Sequence, residues 1–121
     1  MKIVVTSQGA GAESPVDPRF GRAKHLVVVD TESRECETHD NAQNLHAAQG
    51  AGVQTAQTAA RLGARAVITG HIGPKAFATL QAANVAVFSG VSGTVQQAID
   101  QFNAGALRSA ETADVDGHWT T

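Results

Sequence analysis

The sequence predicts one α/β domain, in which a five-stranded mixed sheet with an N-terminal antiparallel hairpin is flanked by helices. Three observations support this class. The first third of the chain holds three strand-like segments, and the remainder alternates strand-like with helix-like segments. Residues 66–73 are echoed by residues 86–93, and each copy reads as a strand, a Gly-x-x-Gly turn and the start of a helix. Successive strand–helix units imply right-handed crossovers between parallel strands.

The first third of the chain predicts two buried strands and one edge strand. Residues 2–6 and residues 25–30 are largely apolar and rich in β-branched side chains, as in strands covered on both faces. Residues 31–34 are short and polar, like a hairpin turn. Residues 35–40 alternate in polarity, so they predict a half-exposed strand at the sheet edge, and this strand carries Cys36.

The remainder predicts two further strands and three helices. The strands are expected at 66–69 and 85–88, and the helices at 53–62, 74–83 and 94–104. Pro74 falls in the first turn of its helix, where a missing N–H costs nothing. Thr94 and Gln97 match a capping box at the start of the last helix. The domain is therefore expected to span residues 1–108 and to be followed by a polar tail at 109–121.

Composition excludes several classes of function. The chain has 121 residues and a formal net charge of -2, which argues against a nucleic-acid partner. The single cysteine cannot form an intramolecular disulfide or supply the four ligands of a protein-held iron–sulfur cluster. No apolar run approaches the ~18 residues that a membrane span requires, and the start turns polar too soon for a signal peptide. We expect a cytoplasmic, monomeric protein without a membrane partner.

Glycine-rich turns mark the expected ligand-binding edge. Ligands of open α/β sheets bind beyond the carboxyl ends of parallel strands. Two such ends carry Gly70-His71-Ile72-Gly73 and Gly90-Val91-Ser92-Gly93, and each turn opens a helix whose free N–H groups favour an anion. We expect the two turns to lie side by side, so that both helix starts, including Thr94, face one ligand. The alternative is that these glycines only form tight strand-to-helix turns.

An arginine-containing loop is the second candidate. Residues Asp17-Pro18-Arg19-Phe20-Gly21-Arg22 place two guanidinium groups around an aromatic ring. Guanidinium groups suit delocalised anions and stack on aromatic faces. The alternative is a solvated loop in which Phe20 fills the core and Asp17 pairs with an arginine.

Two histidines are candidate metal ligands. His71 lies inside the first Gly-x-x-Gly turn, where it could ligate a metal or donate a proton to an anion. His46 precedes the first helix, near Gly50 and Gly52, and is an additional candidate. The chain has no phosphate-loop motif and no nucleophile elbow, and its acidic residues show no convergence. The residues thus favour anion capture over catalysis.

Four sequence blocks, taken in order, point to a family. They are Val16-Asp17-Pro18-Arg19-Phe20-Gly21-Arg22-Ala23, Gly50-Ala51-Gly52, the turn from Gly70 to Gly73, and Thr94-Val95-Gln96-Gln97-Ala98-Ile99 with the Phe102 and Gly105 that follow it. Together they resemble the dinitrogenase iron–molybdenum cofactor biosynthesis family, of the NifX and NifB C-terminal type. The likeness covers about residues 1–107 and is greatest to short free-standing members.

The resemblance implies a ribonuclease-H-like fold and a non-catalytic role. The expected role is the binding, storage or delivery of an anionic metal–sulfur cluster, of Mo–Cu–S or Fe–Mo–S type, or of its precursor, with a donor or acceptor protein as a further partner. Such a cluster brings its own sulfide ligands and needs no set of cysteines. The positions carried over are Arg19, Phe20, Gly21, Arg22, the Gly50–Gly52 turn and His71.

Two rival functions remain at this point. One is a binding or sensor module for a small anion or a nucleotide. The other is a nuclease, because the implied fold also hosts nucleases. Fold alone is a weak warrant for function, and a two-metal nuclease needs convergent carboxylates, which the sequence does not show.

Overall fold

A computed structural model describes residues 1–41 and 50–110. Its elements are β1 (Lys2–Ser7), a 3-10 turn (Phe20–Arg22), β2 (His25–Asp30), β3 (Cys36–Asp40), α1 (Ala51–Arg61), β4 (Ala64–Ile68), α2 (Pro74–Ala82), β5 (Ala86–Phe88) and α3 (Val95–Asn103). The five strands and three helices fall where the sequence predicts them, with shifted ends. One of these shifts affects a candidate residue. α1 begins at Ala51 and not at the predicted residue 53, so Gly52 lies in its first turn.

The strands form one mixed sheet in the order β3-β2-β1-β4-β5. β2 pairs antiparallel with both β1 and β3, whereas β4 pairs parallel with both β1 and β5. The predicted hairpin, mixed sheet and α/β class are confirmed. The more specific ribonuclease-H-like description stays a prediction.

Helices cover both faces of the sheet. Val4 of β1 belongs to one core cluster with buried residues of α1 and α2, whereas Ile3 and Val5 belong to a second cluster with α3. This alternation follows from the two-residue period of a strand. It also explains why the apolar run of β1 is continuous, since both of its faces are buried.

The two edges of the sheet differ. β3 is exposed along almost its whole length, as predicted for an edge strand. The opposite edge, β5, is covered by the chain that leaves α3, because the Ala110 N–H donates to the Val87 carbonyl at 2.6 Å. Ala110 thus packs on the sheet just beyond residue 108, and the boundary expected at that residue stays a prediction. Residues 111–121 of the predicted tail lie outside the described residues.

Candidate functional site

One edge of the sheet collects strand ends and helix starts. β1, β3, β4 and β5 run in the same direction, because β3 is antiparallel to β2, and β2 is antiparallel to β1. Each of the three helices follows one of these strands, so each begins near the edge where the strands end. This is the edge at which open α/β sheets bind ligands.

The two matching turns are neighbours at this edge, as predicted. The Gly90 N–H donates to the Gly70 carbonyl at 2.6 Å, and the Val91 N–H donates to the Thr69 carbonyl at 3.2 Å. The helices that follow them nevertheless lie on opposite faces, because Phe77 of α2 packs in one core cluster and Val95 of α3 packs in the other. The two helices therefore leave this edge on opposite faces, which does not favour the expectation that both helix starts face one ligand. α2 connects β4 to β5 on one face, and of the three described helices only α3 covers the other face.

The start of α3 is occupied by the protein itself. Thr94 and Gln97 form the predicted capping box, with both of its hydrogen bonds present. The next two amides also have acceptors, since the Val95 N–H donates to the Ser14 carbonyl (2.9 Å) and the Gln96 N–H donates to the Ala12 carbonyl (2.7 Å). Thr94 was expected to bind the ligand, and the structure instead shows it capping a helix.

The second turn leads the chain into that cap. Gly90 and Gly93 have φ angles of 75° and 92°, and the Gly93 carbonyl accepts from the Val16 N–H at 2.8 Å. Ser92 is exposed between them. The presence of Gly90 and Gly93 is thus explained by the tight turn alone, because both positions need the left-handed backbone conformation that glycine favours.

The starts of α1 and α2 differ from that of α3. They lie in the same layer, and within residues 1–41 and 50–110 neither receives a cap from the side chain of its N-cap residue, which is glycine in both. The N-cap residue of α1 is Gly50, with φ 78°, and that of α2 is Gly73, which is followed by Pro74. Gly52 is buried inside the first turn of α1 and so is not part of a preceding loop. Both helix ends present the positive pole of the helix dipole.

The arginine loop runs alongside the first turn like a short extra strand. The His71 N–H donates to the Pro18 carbonyl at 2.8 Å, and the Phe20 N–H donates to the His71 carbonyl at 3.1 Å. Arg19 and His71 are paired in this parallel bridge. Phe20 and Ile72 are both fully buried in the core cluster under α1 and α2, so strand alternation directs Arg19 and His71 to the surface together.

This pairing decides the role of Phe20. Its ring is 0% exposed, so it fills the core and does not stack on a ligand. Gly21 is buried beside it, and Arg22 ends the 3-10 turn half-buried. Of the four candidates in this loop, the structure therefore brings Arg19 to the surface beside His71 and leaves Arg22 partly accessible.

Close backbone contact fixes the loop to the strand ends. A Cβ atom on Gly70 would lie 2.6 Å from the Pro18 Cα atom, which no side chain tolerates. The Asp17 N–H donates to the Thr6 carbonyl at 2.9 Å, and the Thr6 Oγ1 donates back to the Asp17 carbonyl at 3.0 Å. Gly70 is thus required for close packing of the loop.

Asp17 holds the Arg19 peptide from inside the loop. Its Oδ1 accepts from the Arg19 N–H at 2.9 Å, so the predicted pairing with an arginine occurs through the backbone. Burial raises the pKa of the Asp17 carboxyl above 3.8, and this outweighs the opposing effects of the Arg19 hydrogen bond and of the Arg19 and Lys24 charges.

Four basic residues near this edge, Arg19, Arg22, His71 and Lys75, are called the cationic cradle below. Arg19 and His71 are joined by their bridge, the 3-10 turn that ends at Arg22 contacts α1, and Lys75 lies in the first turn of α2. Sequence reasoning missed Lys75, whose only signal is a basic residue directly after the N1 proline. No three His, Cys, Asp or Glu side chains within residues 1–41 and 50–110 lie close enough together to hold a metal ion.

The remaining candidates lie elsewhere. Cys36 is exposed on β3, away from the glycine turns, as predicted. His46 lies outside the described residues. Two grooves, of about 580 and 370 Å³, flank the β2–β3 hairpin; Cys36 lines both, but none of the residues expected to bind the ligand does. We locate the candidate site from its charged side chains and helix-start amides and not from a cavity, because a large anion can bind on an open surface.

In the described part of the chain, no helix has the length and apolar character to cross a membrane.

Known structures with the same fold are similar over nearly the whole chain. The apo form of the orange protein from Desulfovibrio gigas superposes with a TM-score of 0.92 at 42% identity, covering 94% of this chain and 96% of that one. A provisionally assigned NifB protein from Thermotoga gives a TM-score of 0.82 at 35% identity, covering 96% and 98% of the two chains. An uncharacterized protein of Methanocaldococcus jannaschii is 26% identical over 98 residues, which are 79% of this chain and 83% of that one.

A family model settles the relationship. The model described as dinitrogenase iron–molybdenum cofactor matches residues 1–105, which include all of the described strands and helices. The family suggested by the sequence blocks is confirmed: the chain belongs to the dinitrogenase iron–molybdenum cofactor family.

Proposed function

We propose that this protein binds an anionic, molybdenum-containing metal–sulfur cluster or its precursor, and that it stores or delivers this cargo without catalysis. The observation that carries the proposal is the Arg19–His71 pair beside the uncapped starts of α1 and α2. Guanidinium groups and helix-start amides can meet the sulfide and oxide atoms of an anion through charge-assisted hydrogen bonds.

The chemistry of the cargo matches these donors. A thiometallate cluster carries its own sulfide ligands, so the protein has to supply positive charge, hydrogen-bond donors and at most one or two metal ligands. The His71 imidazole suits copper, iron or zinc as a direct ligand. Each charge-assisted contact contributes on the order of 1.5–3 kcal/mol. Two arginines and two helix starts therefore suffice for a stable but exchangeable complex.

The family relationship supports the same function. The matched family model is described by the iron–molybdenum cofactor, and the relatives above include an orange protein and a NifB-type protein. Delivery implies that the cargo arrives from a donor protein or leaves to an acceptor. The net charge of -2 supports our exclusion of nucleic acid as a partner, and the single cysteine fits the reducing cytoplasm.

Anaerobic reconstitution tests the proposal. The purified protein is mixed with tetrathiomolybdate and copper(I), desalted, and analysed by absorption spectroscopy and metal content. We expect charge-transfer bands and a fixed ratio of molybdenum to protein. Protein that stays colourless and retains a nucleotide instead would contradict the proposal and favour the small-anion or nucleotide module.

Paired arginine variants locate the site. Arg19→Ala with Arg22→Ala removes two cations from the cradle and should weaken cluster binding at least ~100-fold, at roughly tenfold or more per contact. Arg61→Ala with Arg65→Ala removes the same charge at the far end of α1 and the start of β4, and should leave binding within about twofold. Equal losses in the two double variants would mean that only net charge matters.

A further inference from the structure

The two edge strands of the sheet, β5 and β3, differ in how far the rest of the chain covers them. At β5, the segment after α3 crosses the edge, with Leu107 packed against the core cluster on the α3 side and Ala110 against the cluster on the other side. The Ala110 N–H donates to the Val87 carbonyl, which closes this edge. At β3, by contrast, four of the five residues are exposed.

The register identifies the backbone groups that point away from β2. The Asp30 N–H donates to the Glu35 carbonyl (3.0 Å), and the Asn41 N–H donates to the Lys24 carbonyl (2.9 Å). Antiparallel ladders alternate, so the odd-numbered residues between them face β2. The N–H and C=O groups of Cys36 and Thr38 therefore face outward, where another strand could pair with them.

The side chains along this edge also alternate. Glu37 lies opposite Val28, on the face of the sheet covered by α1 and α2, whereas Thr38 lies opposite Val27 on the α3 face. Glu37 and Glu35, together with Asp30 and Lys2, line a groove of about 370 Å³ beside β3. Carboxylates therefore predominate on the first face, where the His39 ring contacts Glu37 at 3.2 Å, whereas the other face carries the small side chains of Cys36 and Thr38 and ends at Asp40.

We infer that the edge of β3 is a docking surface for an extended segment of another protein in which basic residues alternate with small neutral ones. A strand paired with Cys36 and Thr38 would place alternate side chains about 5 Å from Glu37, on the same face. A lysine or arginine there would lie over the acidic groove, and small residues would lie over Thr38. Main-chain hydrogen bonds would hold the segment, and the groove would select it.

The same carboxylates disfavour other occupants. A second copy of β3 would bring a second set of Glu35, Glu37 and Asp40 to the same edge, and like charges directly opposite each other are destabilising. An apolar segment would desolvate Glu35 and Glu37 without bringing a positive charge to them. Charge on an exposed edge thus blocks self-association and selects a basic partner. This surface is separate from the cationic cradle, so a partner could dock while cargo is bound.

A peptide titration followed by NMR tests the inference on the full-length protein. The probe is a short acetylated peptide in which lysine alternates with threonine. We expect it to shift the amide signals of Cys36 and Thr38 more than those of the cradle residues. A matched peptide with glutamate in place of lysine should not bind. A lysine peptide with alternate backbone amides N-methylated should bind about tenfold more weakly, because it cannot complete the ladder.

Variants at one position separate pairing from charge. Thr38→Pro removes an outward N–H without touching the ladder to β2, and should weaken binding about tenfold. Thr38→Val is its control, because it also loses the Thr38 hydroxyl that accepts from the Gly11 N–H but keeps the outward N–H. Should Thr38→Pro fail to fold, the N-methylated peptide gives the same test with unaltered protein. Equal binding of the two lysine peptides, or no shifts in β3 at millimolar peptide, would overturn the inference.

Discussion

Gly70→Ala tests whether the arginine loop must pack against the strand ends. The added Cβ would lie 2.6 Å from the Pro18 Cα atom and 2.7 Å from the Pro18 carbonyl oxygen, so the backbone of the loop must move. Overpacking of this kind costs ~1–3 kcal/mol. The displacement also strains the two bonds that join the loop to His71, each of which contributes about 1 kcal/mol. We expect a loss of about 2–4 kcal/mol in the free energy of unfolding.

The assay combines urea denaturation with cluster titration. Gly105→Ala is the matched control, because Gly105 has φ 72° and nothing within 4 Å of its added Cβ, so only backbone strain of ~1–2 kcal/mol results. Both variants should lose stability, but only Gly70→Ala should also weaken cluster binding under conditions where each is folded. A Gly70→Ala protein that binds the cluster like the wild type would refute the close-packing argument.

Local sequence signals predicted most of the fold. The capping box of Thr94 and Gln97 is present, and Asn84 adopts the left-handed conformation, with φ 61°, that a helix end favours. Continuous apolar, β-branched runs predicted the buried strands, and alternation in polarity predicted the exposed edge strand β3. These features depend on residues close together in the sequence, so one segment at a time is sufficient to identify them.

Features that depend on distant contacts could not be predicted in this way. Phe20 points inward because the loop pairs with the turn around His71, which lies far along the chain. The two glycine turns look equivalent in sequence, yet one leads to an uncapped helix and the other to a helix capped partly by the Ser14 and Ala12 carbonyls. The matching motifs suggested one shared site. In the folded protein the two turns are neighbours, but the helices that follow them lie on opposite faces of the sheet.

Three further predictions separate the cradle from the rest of the molecule. Cys36→Ser should retain the colour and metal content of the reconstituted protein, and loss of both with a normal circular dichroism spectrum would move the site to the hairpin. Thr94→Ala should lower the free energy of unfolding by about 1 kcal/mol, because it removes a helix cap. It should not change cluster affinity, because this helix packs on the face opposite α1 and α2. Weaker cluster binding by this variant would mean that Thr94 contacts the cluster. Asp17→Asn keeps an Oδ1 acceptor for the Arg19 N–H but removes a buried charge. Because burial raises the pKa of Asp17 in the folded state above 3.8, the folded state binds the proton more tightly than the unfolded state does. The contribution of Asp17 to stability is therefore lost as pH rises from its unfolded-state pKa to its folded-state pKa, and the variant lacks this contribution. Urea denaturation at several pH values should show the variant gaining relative stability over that window, and parallel pH profiles for the two proteins would show that Asp17 is not the titrating group.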